Sequence, residues 1–183
     1  MIPWVIFGGV SLLIVAISWE SLRNPRSHGF YRFFAWEAIL VLFVLNMTFW
    51  FYKPFSWNQI LAWSLLLLSL IPLAFGIHSL RTRGNPAKQR EGDRSLLAFE
   101  KTTTLVTSGI YRYIRHPLYS SLLLLTWGIF FKAPSLEGLA LTMVATLFLI
   151  ATARADEMEC TYFFGPSYRD YMQKTKRFIP YLF

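Results

Sequence analysis

Two short stretches of this sequence gather the side chains able to do chemistry. The first runs Gly109-Ile110-Tyr111-Arg112-Tyr113-Ile114-Arg115-His116-Pro117-Leu118-Tyr119. The second places Asp156, Glu157 and Glu159 within four positions and is followed, after Gly165-Pro166, by Arg177. Imidazole and carboxylate groups move protons, and together with guanidinium groups they can hold a ligand that has both a cationic and an anionic end. Pro117 suits the first position of a helix with His116 at its cap, which turns free backbone N–H groups toward an anionic group such as a carboxylate or phosphate.

The elements that carry these stretches follow from composition. The 183 residues are 55% hydrophobic and only 15% charged, so the apolar surface needs lipid as its partner. A net charge of +8 on so apolar a chain reflects Lys and Arg kept at a membrane face, and nucleic acid is not expected as a partner. The single cysteine, Cys160, excludes an internal disulfide framework and a cysteine-only metal site. Ile2 to Trp19 is free of charge and at helical rise covers about 27 Å, near the ~30 Å hydrocarbon core, so it reads as a retained span and not a signal peptide. Glu20 to Arg32 is a polar break. Phe33 to Tyr52 and Trp57 to Leu80 form the second and third spans, with Pro72 and Gly76 able to kink the third. Arg81 to Pro117 is a long polar connection. Leu118 to Phe131, a tight turn at Lys132-Ala133-Pro134-Ser135, and Leu136 to about Ala153 then make an apolar hairpin, with Ser135 as N-cap of its second arm. The first arm has 14 residues, about 21 Å, which is short for a crossing. Gly165-Pro166 stops the last long helix, and Tyr168, Tyr171, Met172 and Thr175 recur at helical spacing in a short amphipathic helix.

The fold class is therefore all-α: a polytopic membrane protein of about five transmembrane helices, the last two a helical hairpin, with a cytoplasmic amphipathic helix at the carboxyl terminus. It forms one membrane domain over 1–183, with three spans in 1–80, a cytoplasmic loop in 81–117, the hairpin in 118–155 and a cytoplasmic tail in 156–183. Charge supports this topology. Sixteen of the eighteen Lys and Arg residues fall in the first loop, the long loop and the tail, leaving only Lys53 and Lys132 opposite. Cations near span ends favour the cytoplasm, so the amino terminus lies outside and the long loop and tail share the cytoplasmic face. A site built from both can form there. Tyr, Arg and His at such a boundary also serve as plain interface anchors, and the acids as a solvated helix extension.

Gly109-x-Tyr111-x-x-x-Arg115-His116-Pro117-x-Tyr119, followed by Asp156-Glu157, Phe164-Gly165-x-x-Tyr168-x-x-Tyr171 and Arg177-Phe178-Ile179-Pro180, resembles the isoprenylcysteine carboxyl methyltransferase and phospholipid methyltransferase group of membrane enzymes. The resemblance covers roughly Leu105 to Pro180, and the first three spans are similar only in character. It implies an enzyme that takes S-adenosylmethionine from the cytosol and a lipophilic or small methyl acceptor from the membrane, with membrane lipids as its surroundings. It implies cofactor-binding roles for Gly109, Tyr111, Arg115, His116, Pro117, Tyr119, Asp156 and Glu157, with the tail completing the cofactor site. Asp156 departs from the family's Glu-Glu pair and is shorter by one methylene. Catalytic roles fall to Glu157, His116 and Arg177. A carboxylate acceptor needs only positioning, as by Arg177, whereas an amine or thiol must lose a proton, as to Glu157 or His116. Methyl transfer is an in-line displacement that requires alignment and exclusion of water, and no metal.

Two other classes stay open: a membrane reductase of the sterol-reductase type using NADPH, and a non-enzymatic membrane adaptor. Elsewhere, Glu37 reads as a snorkelling boundary acid, and Asn46 and Thr48 as interhelical hydrogen-bonding groups. His78 either lines the same cytoplasmic cavity as His116 or has no role there. The charged stretch from Arg83 to Ser95 reads as a cytoplasmic flap or a plain flexible loop.

Overall fold

The long apolar runs do become helices. The computed structural model describes residues 2–85, 97 and 100–182, and those residues form α1 (Ile2–Leu22), α2 (His28–Asn46), α3 (Trp57–Arg83), α4 (Pro117–Phe130), α5 (Leu136–Phe164) and α6 (Pro166–Lys174). Single 3₁₀ turns at Met47–Phe49 and Gly109–Arg112 complete the helical content of the described residues. Four helices, α1, α2 with its 3₁₀ extension, α3 and α5, are long and apolar enough to cross a bilayer, while α4 has 14 residues and is not. Large apolar side chains such as Leu12, Leu13, Leu67, Ile71 and Leu147 lie exposed along the long helices, a surface that water would not tolerate and lipid would. The chain is a multi-pass membrane protein. The flap expected at 83–95 lies, from residue 86 on, outside the described residues.

Helices α2 and α5 pack along one another, as do α3 and α4. The α3–α4 contact is antiparallel and depends on two small residues. A Cβ on Gly76 would sit 3.1 Å from Leu118 and one on Gly128 2.9 Å from Leu66, so both ends of the contact need a bare backbone. Asn46 Nδ2 donates to the Ile129 carbonyl at 2.9 Å, the interhelical bond expected of it, while Thr48 is exposed. Ser11 donates to both oxygens of Glu37 at 3.0 and 3.1 Å, so that acid ties α1 to α2.

Two features differ from the sequence expectation. The second helix starts at His28, capped by Ser27 accepting from the Phe30 N–H at 3.3 Å, and not at Phe33. His28 and Arg32, polar enough to read as loop, are fully buried in the helix because Glu159 and Glu100 compensate them. Lys132, read as part of the tight turn between the hairpin arms, is 1% exposed. Its Nζ donates to Gln59 Oε1 at 2.9 Å and to the Trp50 carbonyl at 3.2 Å, and lies 3.7 Å from the centre of the Trp63 ring. The helix starts at Pro117 and Leu136 stand as read: His116 occupies the cap position of α4, and Ser135 accepts from the Gly138 N–H at 3.0 Å.

Candidate active site

The tail folds back onto the end of the long loop. Gly165 at φ 61° ends α5 in a conformation that favours glycine, and α6 follows at once. Beyond α6 the chain is extended and pairs in parallel with the loop. Arg115 N–H donates to the Lys176 carbonyl at 2.8 Å, His116 N–H to that of Arg177 at 3.1 Å, and Lys176 N–H to that of Tyr113 at 3.3 Å. The Tyr171 hydroxyl donates to the Tyr111 carbonyl at 2.6 Å, and Ser120 to that of Phe178 at 2.9 Å. Residues some sixty positions apart are thereby set against the same turn of α5.

Glu157 is where they converge. Its Oε1 accepts from Arg115 Nε at 2.9 Å and from Arg177 Nε at 3.1 Å, its Oε2 accepts from Arg177 Nη2 at 2.6 Å, and His116 Nε2 lies 3.4 Å from Oε1. Arg115 also donates from Nη1 to the carbonyls of Met172 and Thr175, capping the end of α6. Both oxygens of Glu157 are thus engaged by cations, and the residue faces an open groove with Arg154 and Arg169, not the enclosed cavity. The same bonds hold the Arg177 guanidinium more firmly protonated than usual.

The cavity lies on the other side of the pairing and encloses about 750 Å³ of free space, its open mouth included. Of the sequence-expected residues, Tyr111, Arg115, His116, Pro117, Tyr119 and Asp156 line it. Gly109 stands outside it at φ 66°, where a Cβ would lie 3.0 Å from Ser79 Oγ and Arg83 Nη1. His116 is buried, stacks on Tyr119 with ring centres 5.3 Å apart, and places Nδ1 3.4 Å from Asp156 Oδ2. Burial opposes its charge, but the hydrogen bonds to Asp156 and Glu157 prevail and raise its pKa above the ordinary value. Burial likewise raises the phenol pKa values of Tyr111, Tyr168 and Tyr171, which stay neutral walls. His78 is exposed on α3 and is not part of the lining.

Sequence reasoning left out two charged lining groups. His28 from the start of α2 and Glu100 from the long loop also face the cavity, as does Glu159, which was named with the acids of α5. Arg32 Nη1 holds both Glu100 oxygens at 3.0 and 2.8 Å and so ties Glu100 to α2. A serine cap ahead of an apolar run, Ser27-His28, was the available signal that His28 belongs to a helix and to the core.

Over this part of the molecule the chain is similar to known proteins. Residues 92–165 match the family model described as phospholipid methyltransferase. Two probable protein-S-isoprenylcysteine O-methyltransferases of Oryza sativa, subspecies indica and japonica, are each 32% identical over 85 residues, 46% of this chain and 44% of theirs. The methanethiol S-methyltransferase of Pseudomonas deceptionensis is 21% identical over 183 residues, 98% of this chain and 58% of its own length. The chain spans about half the length of the curated relatives it matches. The matched segment contains the loop from Gly109 to Tyr119 and Asp156, Glu157 and Glu159 of α5. His28, Arg32, α6 and Arg177 lie outside it and complete the site around it.

Proposed function

We propose that this chain is an S-adenosylmethionine-dependent methyltransferase acting on a lipophilic or small acceptor at the boundary between membrane and cytoplasm. The observation that carries this reading is one cavity, at the polar end of long apolar helices, lined jointly by the Arg115-His116-Pro117-x-Tyr119 segment and by Asp156. In this reading α4 is a fifth, short span shielded by α3, it forms a hairpin with α5, the amino terminus is outside, and the cavity opens to the cytoplasm.

The donor set fits such a cofactor. Its ammonium would meet the carboxylate of Asp156, which, though shorter than a glutamate, reaches the cavity, and its adenosine would meet the aromatic walls of Tyr111, Tyr119 and Tyr168. When bound, the cofactor supplies an electrophilic methyl group. The protein's part is alignment and exclusion of water, for which the enclosed aromatic lining is suited. Glu157 serves as the cross-link that fixes Arg115, His116 and Arg177 relative to α5, and Arg177 retains a partly exposed face toward the open groove. The relatives' names place the accepted methyl on oxygen in one case and sulfur in the other, and both acceptor types fall within the proposal.

The test is calorimetric titration of the detergent-purified protein with S-adenosylhomocysteine, the demethylated cofactor, and separately with NADPH. Binding of the former, weakened at least ~10-fold in His116→Ala and Asp156→Asn, is the expected result; a loss of that size corresponds to about 1.4 kcal/mol. Undiminished binding in both variants overturns the site, and preference for NADPH overturns the reaction class.

A further inference from the structure

His28 lies outside the family-matched segment, yet it presents a complete arrangement for proton transfer. Its ring is fully buried at the start of α2 and lines the cavity. Glu159 accepts from its backbone N–H at 2.8 Å through Oε1 and lies 2.6 Å from ring Nδ1 through Oε2. One carboxylate therefore fixes both the position of the residue and the orientation of the imidazole. With Nδ1 donating to Glu159, Nε2 carries the free lone pair. That atom is buried and without a hydrogen-bond partner among the described residues. A polar atom left so costs roughly 1–3 kcal/mol, which makes sense for a group that meets its partner only when the cavity is filled. A histidine oriented by a carboxylate on one nitrogen and open on the other is the form of a general base.

We propose that His28, oriented by Glu159, is the base that deprotonates the methyl acceptor, and that the acceptor is accordingly a thiol or an ammonium and not a carboxylate. This rests on the methyltransferase reading above. The titratable groups about the ring include Asp156 and Glu159 of α5 and Arg32 of its own helix, with Glu100, Arg115, His116 and Tyr119 elsewhere in or beside the lining. A carboxylate acceptor's nucleophilic oxygen is already unprotonated and would leave such a base without a task. In the step, Nε2 takes the proton from sulfur or nitrogen, that atom forms the bond to the methyl carbon, and the bond from methyl to the sulfonium breaks with its electron pair left on sulfur. The products are a thioether or methylated amine and S-adenosylhomocysteine, and the proton passes from Nε2 to water.

The experiment compares wild type, His28→Gln and Glu159→Gln with octanethiol, octylamine and octanoate as methyl acceptors between pH 6 and 10, alongside titration with S-adenosylhomocysteine. Removing a general base should lower turnover of the thiol or amine at pH 7 by at least ~100-fold in His28→Gln, with the gap closing as pH rises and solvent deprotonates the acceptor. S-adenosylhomocysteine affinity should change less than about threefold. Glu159→Gln supplies the second arm: with only three histidines in the chain, the His28 ring signals can be assigned by ¹⁵N NMR in cofactor-free protein, and their titration should move to lower pH. Unchanged turnover in His28→Gln, a gap that does not vary with pH, preference for octanoate, loss of S-adenosylhomocysteine binding in His28→Gln, or an unmoved midpoint in Glu159→Gln each overturns the proposal. Wild-type protein that binds no S-adenosylhomocysteine overturns the methyltransferase reading and this one with it.

Discussion

Arg177 grips both carboxylate oxygens of Glu157, Nε to Oε1 at 3.1 Å and Nη2 to Oε2 at 2.6 Å, and so fastens the end of the chain to α5. Arg115 approaches the same Oε1 from the loop. The three charges form a bridge between α5, the loop and the end of the chain. Removing the shared acid leaves two guanidinium groups beside one another without the carboxylate that both bind. Glu157→Ala should therefore lose about 3–5 kcal/mol of stability, read as a fall in thermal unfolding temperature in detergent. Arg177→Lys keeps the charge but not the two-pronged contact and should lose less.

His116 gives the site a pH dependence whose sign follows from its surroundings. Asp156 and Glu157 raise its pKa above the ordinary value, so the folded form binds the proton more tightly than the unfolded chain. The resulting stability is present in full below about pH 6.5 and is lost as pH rises through the folded-state pKa. Unfolding temperature measured from pH 6 to 9 should fall by roughly 2–4 °C for each kcal/mol lost. His116→Asn should flatten that fall.

Lys132 sits at the opposite end of the helices, between Trp50 and Trp63, with its ammonium engaged by Gln59 and a backbone carbonyl. Lys132→Met preserves the stem and removes the donor, leaving a carbonyl and an amide oxygen without it. The expected cost is about 1–3 kcal/mol, with cofactor binding unaltered. Equal stability of Lys132→Met and wild type would show that the cage is not load-carrying.

Gly128 and Gly76 hold α3 and α4 in contact. Gly128→Leu places side-chain carbons where Leu66 and the Ala62 carbonyl already stand. Overpacking of this kind costs about 1–3 kcal/mol and should push α4 away from α3. Because Pro117 and His116 begin α4, Gly76→Leu should also weaken binding of S-adenosylhomocysteine, and Gly128→Leu should do so less, a contrast that titration calorimetry can read.

The apolar runs, the one-sided charge and the turn chemistry at Ser135, Gly165 and Pro117 are local, and each was legible in the chain because helix propensity, span length and capping act over a few residues. The grouping of Arg115, His116, Tyr119 and Asp156 was expected too, as what the resemblance of their motifs to a known family implies. Tertiary structure alone decided the rest. Whether a polar side chain is loop or core depends on a partner far away in sequence: Glu159 for His28, Glu100 for Arg32, Gln59 and two tryptophans for Lys132. It also decided that, of two adjacent acids, Asp156 faces the cavity while Glu157 turns toward the arginines, since a helix rotates about 100° per residue and only packing determines which face meets the pocket.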